Sequence, residues 1–126
     1  ANWDQTQGYI VMQSIIQANP NIVGVLAGND TMALGAAAAL KNAGKSDVKV
    51  VGIDGNPDVV RQIAGDGPII ATGLQQATQM AAMAMEQADH FLRTGKSDKP
   101  EKQSVDCVMV SKDNSKQVRE GGFGMR

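Results

Sequence analysis

The apolar positions of this chain change their period several times, and each change marks an element. From Gln5 to Asn19-Pro20 they recur at helical spacing, with Gly8, Met12, Ile15 and Ile16 on one face. Asp4, with Gln7 three residues on, makes a capping-box pattern at the start of that helix. Ile22 to Leu26 is a short continuous apolar run and reads as a buried strand. A second helix is expected over Thr31 to Asn42, with Met32, Ala36 and Leu40 on its apolar side, Asp30 as its cap and Gly44 closing it. Val48 to Ile53 is the next strand, apolar apart from Lys49. Asn56-Pro57 offers a cap followed by proline at the first helical position, and the helix it opens ends near Gly65-Asp66-Gly67. Ile69 to Leu74 predicts a third strand. Gln76 to Thr94 predicts the longest helix, with Met80, Met83, Ala84, Gln87 and Phe91 at helical spacing. A charged linker, Lys96 to Lys102, leads to a last strand over Gln103 to Val110, and residues 112–126 are expected as a flexible tail.

The predicted order is α-β-α-β-α-β-α-β, which implies an α/β fold with a mainly parallel sheet covered by helices. The pattern begins on a helix with no strand before it, and a doubly wound sheet ordinarily has one. Three or four strands also make a small sheet. The chain is therefore expected to be part of a larger protein, and its start at Ala1-Asn2-Trp3 reads as processed, excised or incomplete.

Composition removes several function classes. At 126 residues and 42% apolar content, the chain is one domain at most and has enough material for a core. Twelve basic residues against thirteen acidic ones leave a net charge of −1, which disfavours a nucleic-acid partner. No run approaches the length of a membrane span. Cys107 stands alone, so an internal disulfide and a cysteine-based zinc site are excluded, and its apolar surroundings predict a buried, inert thiol. Gly24, Gly28 and Gly35 lack the spacing of a dinucleotide turn, and no phosphate-binding Gly-Lys-Ser/Thr loop occurs. His90 alone makes neither a metal site nor a triad, and Met80, Met83 and Met85 read as core and flank. No catalytic residue, metal or cofactor is nominated.

What remains is a set of strand-end loops. Ligands of open parallel sheets bind along the carboxyl edge of the strands. If Asp30 caps the second helix, Asn29 is free to face that edge. If Asn56 caps the third, Asp54 is left at a strand terminus, where a carboxylate can accept two hydroxyl protons from adjacent carbons; an Asx-turn over Gly55 is its structural alternative. Gln75 and Gln76 follow the third strand, one to present an amide and one to begin the long helix. Trp3, the only tryptophan in a chain with 3% aromatic residues, reads equally as a stacking face for a sugar ring or as a hydrophobic staple before Asp4.

Three stretches carry a family resemblance: Gly28-Asn29-Asp30-Thr31-Met32-Ala33-Leu34-Gly35-Ala36, Val50-Val51-Gly52-Ile53-Asp54-Gly55-Asn56-Pro57-Asp58 and Ala71-Thr72-Gly73-Leu74-Gln75. With the opening Ala1-Asn2-Trp3-Asp4 and the close Ser104 to Val110, they resemble the ribose-binding-protein-like family of type 1 periplasmic sugar-binding proteins, receptors of bacterial ABC importers. The resemblance covers residues 1–111. It implies two Rossmann-like lobes joined by three crossing strands and closing on a monosaccharide or polyol, of which this chain holds an incomplete, C-terminal portion. That portion would be the second lobe plus the 76–94 helix of the first. The resemblance further implies stacking by Trp3, hydroxyl binding by Asn29, Asp54 and Gln75, and a pocket-wall role for Ile53, where the family often has an aromatic residue.

The implied partners are the membrane subunits of the importer, in the periplasm. The same scaffold also serves as the effector domain of LacI-type repressors, and this is the alternative reading; an α/β enzyme is a third. A fragment of this kind is expected to bind sugar poorly alone, and to form a homodimer or a dimer exchanging the 76–94 helix.

Overall fold

The structure, a computed structural model, describes residues 1–119. The elements in chain order are α1 (Gln5–Ala18), β1 (Gly24–Leu26), α2 (Asp30–Asn42), β2 (Lys49–Asp54), α3 (Pro57–Ala64), β3 (Ile69–Leu74), α4 (Ala77–Thr94), β4 (Val108–Ser111) and α5 (Ser115–Arg119). The strands form one four-stranded sheet in the order β1-β2-β3-β4. β1, β2 and β3 are parallel and β4 runs antiparallel to β3, so the expected α/β class with a mainly parallel sheet is what the chain adopts.

Local chemistry accounts for most of the boundaries. Asp4 caps α1, accepting from the Gln7 N–H at 2.8 Å. Asn56 caps α3 by accepting from the Asp58 N–H at 2.9 Å, with proline at the first helical position. Gly44 ends α2 at a φ of 68°, a left-handed conformation that costs glycine little. Two helix contacts rest on glycine. A Cβ on Gly35 would overlap the Gln5 carbonyl and lie 2.7 Å from the Tyr9 nitrogen, so α1 and α2 approach backbone to backbone there. Gly8 makes the reciprocal contact against Met32.

The strand order fixes where the core sits. Both β-α-β steps advance the same way across the sheet, and right-handed crossovers then put α2 and α3 on the same face. Val50, Gly52, Thr72, Leu74 and Val110 are buried on that side with Ala33, Ala36, Leu40, Val59, Val60 and Ile63. On the other face, Ile53, Gly73 and Met109 stand side by side in register, and Leu26, Ile53 and Met109 are 76%, 37% and 60% exposed.

Four expectations are corrected. The first strand covers only Gly24–Leu26 and is not buried, because it is the edge of the sheet and its Leu26 points to the uncovered face. The last strand covers only Val108–Ser111, so Cys107 lies before it and is exposed instead of buried. The region from 112 onward is not tail throughout. Ser115–Arg119 form α5, which packs on α3, and Val118 is fully buried because it reaches the sheet's covered side. The Gly121-to-Arg126 segment lies outside the described residues. Finally, Met80 and Met85 are not core: α4 buries no residue, and these two are 47% and 72% exposed.

Candidate functional site

Because β1, β2 and β3 are parallel, their carboxyl ends share one edge, and each delivers a loop to it. Asn29 follows β1, Asp54 ends β2 and Gln75 follows β3. Trp3 comes to the same edge from the turn before α1: a Cβ on Gly28 would lie 3.7 Å from the Trp3 Cζ3. Trp3 is 68% exposed, so its indole face is open instead of packed as a staple.

Asp54 and Gln75 form the most defined pair. The Gln75 Nε2 donates to Asp54 Oδ1 at 2.8 Å, and the Gln75 N–H donates to the Asp54 carbonyl at 3.2 Å. One amide thereby orients one carboxylate at the end of two adjacent strands. The neighbouring Gln76 does something else, donating from Nε2 to the Asp106 carbonyl at 2.8 Å and so tying the start of α4 to the segment before β4. Sequence alone barely separated the two glutamines; their partners do.

The backbone is unusual at this edge. Among the described residues, the non-glycine positions with positive φ are Asn2 at 49°, Trp3 at 61° and Asp54 at 129°. Such conformations cost roughly 1–3 kcal/mol each and persist where the surroundings over-determine them. Gly55, next to Asp54, has a φ of 82°, and a Cβ there would overlap Leu74.

The capping assignment at β1 is reversed. Asn29, not Asp30, caps α2, its Oδ1 accepting from the Met32 N–H at 2.9 Å. Asn29 is 9% exposed, so its remaining amide group sits at the edge with half of its chemistry already committed. Asp30 is the first residue of α2 and is fully buried. Its Oδ2 accepts from the Asn56 N–H at 2.6 Å, and its Oδ1 accepts from the Thr72 hydroxyl at 2.7 Å. The Thr72 Oγ1 in turn accepts from the Gly55 N–H at 3.3 Å. Burial pushes the Asp30 carboxyl above the ordinary value, the bonds from Thr72 and the Asn56 N–H oppose this, and the charge of Asp54 adds to it.

Asp30 is the residue that sequence reasoning assigned only to a cap. The signal was present in Gly52 and Thr72, which stand in register on adjacent strands: a Cβ on Gly52 would overlap the Asp30 carboxylate.

A cleft lined by Ala37, Lys41, Gln62, Asp66 and Pro68 lies toward the opposite end of the strands and contains none of these residues. Among the described residues no group of His, Cys, Asp and Glu is placed to hold a metal ion. The edge offers one carboxylate, two side-chain amides and an aromatic face, a set that matches hydroxyl groups and the C–H face of a sugar ring better than a phosphate.

The sequence matches the family model described as a periplasmic binding protein domain over residues 1–97. The chain is 53% identical over 120 residues to the D-apiose import binding protein of Actinobacillus succinogenes, covering 95% of this chain and 39% of that protein. It is 44% identical over 112 residues to the ribose import binding protein of Escherichia coli K12, covering 89% and 37% respectively. Among solved structures, an ABC transporter periplasmic solute binding protein from Actinobacillus succinogenes 130z with bound D-allose superposes with a TM-score of 0.80 at 39% identity, over 93% of this chain and 41% of that one. The chain thus spans about two fifths of the length of these relatives.

Proposed function

Given that the chain belongs to the periplasmic binding protein domain family, we propose that it forms one lobe of the solute receptor of an ABC sugar importer, holding a monosaccharide or polyol against a second lobe. The observation that carries this reading is the strand-end edge, where Trp3, Asn29, Asp54 and Gln75 converge and the Gln75 amide orients the Asp54 carboxylate at 2.8 Å. Named relatives that import D-apiose and ribose support a sugar-class ligand, and they favour the importer over the repressor alternative. The domain assignment that follows is the second lobe, with α5 part of it through its packing on α3, and with α4 contributed to the first.

In this reading the receptor acts in the periplasm and hands its ligand to membrane subunits of the importer. It performs no covalent chemistry. Asp54 accepts hydroxyl protons, Gln75 and Asn29 add amide donors and acceptors, Trp3 covers a ring face, and Ile53 forms part of the wall. Closure follows because the two-lobed, closed state makes contacts with the ligand that the open state lacks; equal affinity for both would shift nothing.

The experiment is titration calorimetry of the full-length protein with a panel of pentoses, hexoses and polyols. At least one member is expected to bind, and Asp54→Ala is expected to weaken it about tenfold or more, the cost of a buried charge-assisted hydrogen bond. Absence of binding across the panel, or unchanged affinity in Asp54→Ala, would overturn the reading.

A further inference from the structure

Asp54 is the charged residue of the edge, yet its backbone sits at a φ of 129°, where an L residue stays only if something holds it. The residues that follow it are held from behind. Asn56 N–H donates to Asp30 Oδ2 at 2.6 Å, and Gly55 N–H donates to the Thr72 hydroxyl at 3.3 Å. The Thr72 hydroxyl is oriented by its own bond to Asp30 Oδ1 at 2.7 Å. Two consecutive backbone N–H groups are therefore pinned to one carboxylate, one directly and one through a hydroxyl. That carboxylate is fully buried at the start of α2, and the glycine at position 52 leaves the room it occupies. The network ties the loops after β1 and β2 to Thr72 of β3, and Asp54 directly precedes the two pinned residues.

We propose that Asp30 is the positioning residue of the ligand site: acting with Thr72, it clamps the Gly55-Asn56 backbone so that the Asp54 carboxylate is held toward the ligand edge. The proposal rests on the sugar-receptor reading of that edge. Asp30 itself does not touch ligand. Its buried carboxylate has both oxygens occupied, so its influence on affinity passes through Asp54 or does not exist.

A double-mutant cycle on ligand affinity separates this role from a general contribution to folding. In the full-length protein, titrated with the best-binding member of the pentose, hexose and polyol panel, Asp30→Asn keeps the side chain's shape but loses one acceptor. It is expected to weaken binding about tenfold when Asp54 is present and to change it little in the Asp54→Ala background. Thr72→Val, which removes only the hydroxyl link, is expected to show the same dependence on Asp54, and Thr72→Ser to restore near wild-type affinity. The threonine pair reads the clamp even where Asp30→Asn does not fold.

Equal losses from Asp30→Asn or Thr72→Val with and without Asp54 would overturn the proposal while leaving the receptor reading intact. Thr72→Ser as poor as Thr72→Val would do the same. A wild-type protein that binds no member of the panel would overturn both.

Discussion

Helices α2 and α4 are built from similar residues and meet opposite fates. α2 is rich in Ala with Met and Leu, α4 in Ala and Met with Phe and Leu, and both compositions favour helix. Yet α2 buries seven of its thirteen residues, and α4 buries none of eighteen. α2 lies between α1 and the sheet, with Gly8 and Gly35 permitting close approach on one side and Gly52 making room for Asp30 on the other. α4 packs closely on no other element among the described residues; its stability comes from within, through pairs such as Arg93–Asp89 at 2.8 Å and Gln87–Met83 at 3.1 Å, and from its links to the segment before β4. An amphipathic pattern thus says that a helix has a covering surface somewhere. It does not say that the surface is nearby in the chain.

The largest test of this contrast is a matched pair of truncations. Leu40→Ala removes a fully buried side chain of α2 and should cost about 2–5 kcal/mol in urea unfolding of this chain. Leu92→Ala, at an α4 position 83% exposed, should stay within about 0.5 kcal/mol. A comparable loss at Leu92 would mean that the side of α4 away from Met80 and Phe91 is covered in solution.

Cover from a second copy is the next way to break the contrast. Two apolar surfaces face water: one side of α4, with Met80 and Phe91, and the uncovered side of the sheet, with Leu26 and Met109. Their exposure supports the proposal that the isolated chain dimerises, with α4 exchanged between copies. Sedimentation velocity should show a mass that rises with concentration, and Phe91→Ser should reduce it. A folded monomer at the highest concentration attainable would refute the dimer.

The elements were legible because their signals are local. A capping aspartate before α1, Asn56-Pro57 before α3, Gly44 after α2 and the run Ile69–Leu74 each act within a few residues, and these boundaries are the ones observed. The candidate site was legible to the level of its loops, because a parallel sheet forces successive strand ends together. What failed was the division of labour inside a loop. Asn29 and Asp30 can both cap a helix, and the choice between them is made by Thr72 and Gly52, residues far along the chain whose registry exists only in the folded sheet. The Cys107 error has the same origin: an apolar run predicted strand pairing from Gln103, but β4 begins only at Val108 and leaves the thiol outside.

The finest test compares two carboxylates, one sealed under α2 and one in water. Burial raises Asp30 above the ordinary value of 3.8, whereas the hydrogen bond and charge of Lys112, 2.7 Å away, hold the exposed Asp66 below it. The two make opposite contributions to the pH dependence of stability. For Asp30 the folded chain holds the proton more tightly than the unfolded one. Its contribution is fully present below the ordinary value and is lost as pH rises through the raised value. For Asp66 the contribution is present above the ordinary value and is lost as pH falls through the lowered one, and salt screens it because the pair is exposed. Urea unfolding from acid to neutral pH should therefore show wild type losing ground to Asp30→Asn as pH rises, and gaining ground on Asp66→Asn over the acid range. The first difference should survive added salt and the second should shrink. If the Asp30→Asn difference were flat with pH, the hydrogen bonds from Thr72 and the Asn56 N–H would offset the cost of burial in full, and the carboxylate sealed at α2 would differ from a solvated one in its packing but not in its titration.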